Sequence, residues 1–158
     1  MKIVGMIITA ACACCIGFVK AREAKKELIF TDNLLDLFKH IRNNIEYFNL
    51  PLDEIFNSYS PKHKIFELFF EQIKVCGWSE VIAQKEYNYI SAKTCRLIAE
   101  YGNELGKSDK ENQLKLSGFY IDELTEIYNE LSQRVPQKMR VYISLGFYTG
   151  ILIIILFI

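Results

Sequence analysis

The chain of 158 residues is 51% hydrophobic and carries 19 basic and 19 acidic residues, so its formal net charge is zero. This length fits one domain, and the balanced charge argues against a nucleic-acid-binding protein, which would present a strongly basic face. Only three prolines and eight glycines interrupt the chain, and apolar residues rarely alternate at period two. The composition therefore predicts an all-α fold.

The first predicted element is an uncharged apolar run over residues 3–19. A secretory signal peptide, a lipoprotein signal with Cys12 as the lipidated residue, and a transmembrane helix are three interpretations of this run. Lys2 alone precedes it, whereas four basic residues follow it: Lys20, Arg22, Lys25 and Lys26. Because basic residues favour the cytoplasmic side of a membrane, the pattern favours a transmembrane helix whose carboxyl end faces the cytoplasm.

Residues 20–140 are predicted to form a cytoplasmic antiparallel helical bundle. Its first helix covers residues 21–49, where neither Gly nor Pro occurs. This helix either continues from the apolar run or starts anew at Thr31-Asp32, and Pro51 ends it. Apolar residues recur on one face at intervals of three and four, which is typical of an amphipathic helix: Leu34, Phe38, Ile41, Ile45 and Phe48.

Four shorter helices follow, over residues 52–59, 61–76, 79–87 and 91–105. Ser60-Pro61 and Ser79 are start signals, because serine caps the first turn and proline is tolerated within it. The helix over 61–76 is apolar around most of its circumference, which is typical of a helix inside a bundle or beneath a partner.

A turn is predicted where residues 105–109 join the fifth and sixth helices of the bundle. Gly106 can take the left-handed conformation just beyond a helix end, and Ser108 with Glu111 matches the capping box S-x-x-E. Asp109 and Gln113 lie one turn apart, and we expect both to be exposed contacts. Whether the motif from Leu105 to Gln113 is architectural or a contact for a partner stays open.

The sixth helix, from residue 109 to residue 135, has an apolar face opposite an acidic ridge. The apolar face contains Leu114, Ile121, Leu124, Tyr128, Leu131 and Val135, and the ridge contains Asp122, Glu123, Glu126 and Glu130.

The last predicted element is a second apolar run, residues 141–158, without charged residues, Asn, Gln or Pro. As a helix it would rise about 27 Å, close to the roughly 30 Å hydrocarbon core of a bilayer. Lys138 and Arg140 precede this run and no basic residue follows it, so the charge rule predicts a second transmembrane helix, antiparallel to the first. Small residues at helical spacing would let the two helices approach closely: Ala13, Gly17, Gly146 and Gly150.

No catalytic, cofactor-binding or metal-binding pattern occurs in the sequence. His40 and His63 are solitary, and Leu105-Gly106-Lys107-Ser108 matches only a fragment of a phosphate-binding loop. The five cysteines do not form a disulfide framework and are expected to be buried and reduced. We therefore predict a protein that is not an enzyme and holds no cofactor. The alternative is a membrane-anchored nucleotide-binding or hydrolytic protein that uses the bundle as its site.

Two motifs carry a resemblance to a known family. The first is Leu105-Gly106-x-Ser108-Asp109 with Gln113, and the second is Ser144-Leu145-Gly146-x-x-x-Gly150 preceded by Tyr142. With Gly17-Phe18 and Pro51-Leu52 near the start, these motifs resemble the stage III sporulation protein AB family over the whole chain.

The resemblance implies a subunit of the channel that connects mother cell and forespore in endospore-forming bacteria. It implies a bundle similar to the F domain of type II secretion platforms, placed in the mother-cell cytoplasm at the outer forespore membrane. The two flanking helices would make a two-pass integral membrane protein with both termini outside the cytoplasm. The implied partners are the channel's cytoplasmic ATPase, its membrane subunits and membrane lipid, and the resemblance allows a homo-oligomer.

Overall fold

The structure, a computed structural model, describes the backbone of residues 2–83 and 87–157 and the side chains of residues 15–83, 87–152 and 155. These residues contain six α-helices, one π-helical turn and no strand, so the predicted all-α class is confirmed. The elements are α1 (Lys2–Asn43), the π-helical turn (Asn44–Phe48), α2 (Leu52–Ser58), α3 (Lys64–Cys76), α4 (Trp78–Ile82), α5 (Ala92–Glu104) and α6 (Lys110–Phe157).

The helices form two compact units. Unit 1 combines Met1–Lys26 with Leu131–Ile158, and unit 2 is Glu27–Glu130. Both apolar runs of the sequence, residues 3–19 and 141–158, belong to unit 1, whereas unit 2 holds the four shorter helices.

Helix α1 runs without a break through Thr31-Asp32, so no new helix starts there. The hydroxyl of Thr31 donates a hydrogen bond to the backbone oxygen of Glu27, four residues earlier, at 2.9 Å. A threonine that bonds back within its own helix is an interior residue and not a cap. The first apolar run and the first bundle helix are therefore one helix.

Aromatic side chains fill the core of unit 2. The Phe30 ring of α1 lies 5.1 Å from the Phe66 ring and 4.8 Å from the Phe69 ring, both on α3. The Phe38 ring lies 4.0 Å from that of Tyr101 on α5. Aromatic side chains bury large areas, and edge contacts between rings add to that gain. The fully buried core also contains Leu34, Leu37, Ile41, Ile55, Phe70, Ile98 and Leu124.

The predicted start of α3 at Ser60-Pro61 is wrong, because a distant side chain holds this segment extended. Asn33 of α1 is completely buried, and its side-chain oxygen accepts the backbone N–H of Lys62 at 3.2 Å. The hydroxyl of Tyr59 donates to the backbone oxygen of the same asparagine at 3.1 Å. The helix begins only at Lys64, where the backbone oxygen of His63 accepts the first helical N–H groups.

Helix α3 buries one face, and apolar residues occur around most of its circumference as predicted, because apolar side chains also lie on its exposed side. Its four buried residues share one face: Phe66, Phe69, Phe70 and Ile73. Leu68 and Val75 lie on the opposite side, with 70% and 84% of their surface exposed. The phenylalanines are therefore core residues.

Helix α4 begins at Trp78 and not after a Ser79 cap. The N-cap is Gly77, whose φ of 87° is a conformation that glycine adopts without strain. The hydroxyl of Ser79 instead donates to the side-chain oxygen of Asn103 at 3.0 Å. Residues 84–86 of the helix predicted over 79–87 lie outside the described residues. Trp78 is buried against Gly102, where any Cβ atom would overlap the indole.

Candidate functional site

The side-chain amide of Gln113 closes the turn between α5 and α6. Its nitrogen donates to the backbone oxygen of Glu104 at 3.1 Å and to the hydroxyl of Ser108 at 2.9 Å. Its oxygen accepts the backbone N–H of Gly106 at 3.2 Å. One side chain of α6 therefore holds three points of the segment 104–108, which we call the Gln113 turn.

Gly106 adopts the predicted left-handed conformation, with φ of 79°. A Cβ atom at this position would also lie 2.8 Å from a methyl group of Leu52 on α2. Backbone conformation and contact distance both favour glycine here. Leu105 is buried beside it, and Ser108 and Asp109 are exposed.

The predicted capping box does not form in the described turn. Ser108 accepts from the Gln113 side chain, whereas Glu111 pairs with Lys115 one turn along the helix at 2.8 Å. Helix α6 begins at Lys110, and the backbone oxygen of Asp109 accepts the N–H of Gln113. The helix thus starts two residues after Ser108, so the serine lies outside the capping position.

Gln113 was expected to be an exposed contact, and this expectation is wrong, since only 4% of its surface is exposed. A polar residue at the start of a helix has no sequence signal that separates burial from exposure. Its burial follows from the three hydrogen bonds, which satisfy the amide where water cannot reach it. Gln113 and Gly106 therefore both take part in the hydrogen bonds that shape the turn, while Asp109 is exposed.

Two exposed aromatic residues lie next to the Gln113 turn. Tyr47 and Phe48 belong to the π-helical turn at the end of α1, with 72% and 70% of their surface exposed. The ammonium group of Lys110, the first residue of α6, donates to the backbone oxygen of Glu46 at 3.0 Å. This bond and the Gly106–Leu52 contact place the π-helical turn, α2 and the Gln113 turn at one end of unit 2, which we call the aromatic end.

The exposure of Phe48 corrects the predicted apolar face of the first bundle helix. Leu34, Phe38, Ile41 and Ile45 are buried as expected. A π-helical turn holds about one more residue than an α-helical turn, so residues within it leave the 3.6-residue repeat that places the earlier apolar side chains on one face. Phe48 is therefore turned away from the face that the earlier residues share. Asn49 then stops the helix in the left-handed conformation, with φ of 52°.

Histidine and cysteine side chains are dispersed within the described residues. The His40 ring lies 3.0 Å from the hydroxyl of Ser58, whereas His63 is the N-cap residue of α3. Among the described residues, no group of His, Cys, Asp and Glu is placed to hold a metal ion. Cys15, Cys76 and Cys95 are free, but the first two are exposed, so the expectation of buried thiols is corrected for them.

In unit 1 the backbones of α1 and α6 approach closely at glycine. A Cβ atom at Gly17 would lie 2.6 Å from the backbone oxygen of Tyr142 and 3.2 Å from the Cα of Gly146. Gly150 is buried as well. The side chain of Ala13 lies outside the described residues.

The basic residues that border the apolar runs are exposed in unit 1: Lys20, Arg22, Lys25, Lys26, Lys138 and Arg140. Within the part of the chain that the structure describes, no helix combines the length and the hydropathy of a membrane span. The side chains of residues 3–14, 153–154 and 156–158, which belong to the two predicted spans, lie outside that part.

Comparisons with known proteins place the chain in a family. No curated protein and no solved structure gives a significant match to it. A family model described as stage III sporulation protein AB matches residues 2–158, nearly the whole chain, and the protein therefore belongs to that family.

Proposed function

We propose that this protein is a non-enzymatic adaptor of the channel between mother cell and forespore, and that it links the channel's cytoplasmic ATPase to its membrane subunits. Membership of the stage III sporulation protein AB family gives the chain a role in sporulation. Unit 2 would then act as the F domain does in type II secretion platforms, between an ATPase and a membrane.

Exposed apolar side chains of unit 1 support an attachment to the membrane. Among the side chains of unit 1 that the structure describes, nine apolar ones have more than half of their surface exposed: Ile16, Phe18, Val19, Val141, Leu145, Phe147, Tyr148, Leu152 and Ile155. Exposing such surface to water costs about 25 cal/mol per Å², and lipid would remove this cost. With basic residues exposed beside both runs, this favours a two-pass anchor with unit 2 in the mother-cell cytoplasm.

The aromatic end of unit 2 is the observation that carries the adaptor role. Tyr47 and Phe48 are large, exposed and mounted on a backbone that Lys110 ties to α6. Aromatic residues on a preorganised surface are frequent anchors of protein interfaces, because little conformational freedom is lost when they bind. We therefore assign the ATPase contact to this end, with Asp109 as an exposed polar neighbour.

The test is a pull-down of the full chain in detergent with the cytoplasmic ATPase of the channel. Tyr47→Ala with Phe48→Ala should weaken binding by roughly 10-fold or more, the loss expected for a pair of interface anchors. The matched control is Leu68→Ala with Val75→Ala, which removes two apolar side chains of α3 that are also at least 70% exposed. Equal binding by the two double variants would show that the aromatic end is not the contact.

A second measurement separates the adaptor from the nucleotide-binding alternative. If unit 2 is an adaptor, ATP with Mg²⁺ should leave the melting temperature of the full chain unchanged. Ligand that binds the folded state raises this temperature by mass action. A concentration-dependent rise would contradict the adaptor proposal and favour the alternative.

A further inference from the structure

A groove in unit 2 lies between α2 and the two helices that follow it. Its volume is about 380 Å³. The lining residues come from three helices: Asp53, Phe56 and Asn57 on α2, Ile73 and Lys74 on α3, and Trp78 on α4. Asp53 and Asn57 are four residues apart, so their side chains lie on one face of α2. One wall of the groove therefore offers oxygen atoms that accept hydrogen bonds.

The floor of the groove is apolar and aromatic. Ile73 and Trp78 are buried, whereas Phe56 is partly exposed. The Phe56 ring lies 6.1 Å from the Trp78 ring and 6.1 Å from the Phe70 ring, so its position is set by other aromatic side chains. A cation that stacks on the face of such a ring is attracted by its negative charge density.

The two charged residues that line the groove differ in their partners. The ammonium group of Lys74 lies 3.1 Å from the Glu71 carboxylate and 4.5 Å from the centre of the Phe70 ring, so its charge is compensated. Asp53 and Asn57 are exposed. Among the described residues, neither of these two side chains takes part in an ion pair or a hydrogen bond. The groove thus combines an unpaired carboxylate with a paired ammonium group.

The helices around the groove carry an excess of negative charge. Their acidic residues are Asp53, Glu54, Glu67, Glu71 and Glu80, and their basic residues are Lys64 and Lys74. Unit 2 as a whole carries eighteen acidic and eleven basic residues. A negative surface attracts cationic partners and raises their rate of encounter. Since α2 belongs to the aromatic end, the groove continues the surface to which we assign the ATPase contact.

We propose that this groove binds an arginine side chain of the protein that docks on the aromatic end. The guanidinium group donates to the Asp53 carboxylate and to the side-chain oxygen of Asn57, and it stacks on the Phe56 ring. The aliphatic part of the arginine lies against Ile73 and Trp78. Arginine fits better than lysine, because its planar guanidinium group has five donors in a rigid fork and stacks on aromatic rings.

This inference rests on the proposed ATPase contact and adds a chemical requirement to it. Exposed aromatic residues such as Tyr47 and Phe48 can anchor partners of many kinds. An acidic groove with an aromatic floor selects for a cationic side chain. The ATPase surface that faces α2 should therefore present an arginine.

The experiment measures the binding of the full chain in detergent to the cytoplasmic ATPase. Asp53→Asn should weaken binding by roughly 10-fold or more, the loss expected for a hydrogen bond to a charged group. The matched control is Glu54→Gln, which removes the same charge from the neighbouring exposed residue, outside the groove lining, and should leave binding unchanged. Both variants remove a carboxylate from the first turn of α2, so their melting temperatures should agree.

A charge exchange identifies the arginine. Asp53→Arg should abolish binding, and one arginine-to-aspartate replacement on the ATPase should restore it. Restoration by a lysine replacement, or by none, overturns the assignment. Equal binding by Asp53→Asn and Glu54→Gln overturns it as well, and a lower melting temperature of Asp53→Asn alone would show that this carboxylate stabilises the fold instead.

The two proposals fail in different ways. If Tyr47→Ala with Phe48→Ala weakens ATPase binding while Asp53→Asn does not, the aromatic end remains the contact and only the arginine groove is refuted. If all of these variants bind like the wild type, the contact at the aromatic end is refuted together with the groove.

Discussion

Unit 1 carries eight basic residues and one acidic residue, whereas unit 2 carries eleven basic and eighteen acidic ones. The net charge of zero is therefore the sum of about +7 in one unit and about −7 in the other. The apolar side chains also differ: the phenylalanines that surround Phe30 in unit 2 are buried, although Phe48 of that unit is exposed, whereas Phe18 and Phe147 of unit 1 are exposed. Whole-chain composition therefore averages two surfaces that are suited to different surroundings.

The largest expected effect contrasts a core ring with an exposed one. Phe30→Ala in unit 2 should lower the free energy of unfolding by about 3–5 kcal/mol, because the ring is completely buried against Phe66 and Phe69. Phe147→Ala in unit 1, with 57% of the side chain exposed, should change it by less than about 0.5 kcal/mol in detergent. Chemical denaturation of the full chain checks both, followed by circular dichroism and by the fluorescence of Trp78.

If both variants lost a similar amount of unfolding free energy, the contrast between the two units would be wrong, because Phe147 would then be packed inside the protein. Trp78 is the single tryptophan and lies in unit 2. Its fluorescence therefore reports on unit 2, while circular dichroism follows the helices of both units.

High pH should destabilise unit 2 through a buried phenol. Burial raises the pKa of Tyr101 to about 12, against an ordinary value of 10. Above pH 10 the folded state therefore keeps the phenolic proton of Tyr101, whereas the unfolded chain loses it. The free energy of unfolding should thus be independent of this group below pH 10 and fall by roughly 2 to 3 kcal/mol between pH 10 and pH 12.

Tyr101→Phe is the control for the pH experiment. It removes the hydrogen bond that the Tyr101 and Ser117 hydroxyls share at 3.2 Å, but it should flatten the decline above pH 10. Burial also raises the pKa of Tyr89 to about 12, so part of the decline should persist. An unchanged slope in the variant would show that Tyr101 does not titrate in this range.

The smallest of the three effects tests the Gln113 turn. Gln113→Leu keeps a side chain of similar size but removes the amide. The Gly106 N–H, the Glu104 backbone oxygen and the Ser108 hydroxyl then lose this hydrogen-bond partner. We expect a loss of about 1–3 kcal/mol in the free energy of unfolding. Gln133→Leu, at an exposed position of unit 1, should stay within about 0.5 kcal/mol. Equal stability of the two variants would mean that the amide does not lock the turn.

The sequence by itself determined the all-α class, the family and the residues that end helices. Gly77 and Gly106 act through local sterics, which depend on the residue and its immediate neighbours, and the first bundle helix stops at Asn49, two residues before Pro51. These features can be predicted because no distant contact is needed to produce them.

Only the tertiary structure decided where α3 begins, which way Phe48 points and whether Gln113 is buried. Each depends on groups that are far apart in sequence or on a change in helix geometry. Asn33 holds the backbone of Lys62, and Lys110 holds that of Glu46 across 64 residues. A local pattern of apolar and polar residues does not identify such partners, because hydrogen bonds between distant segments form only when the core brings those segments together.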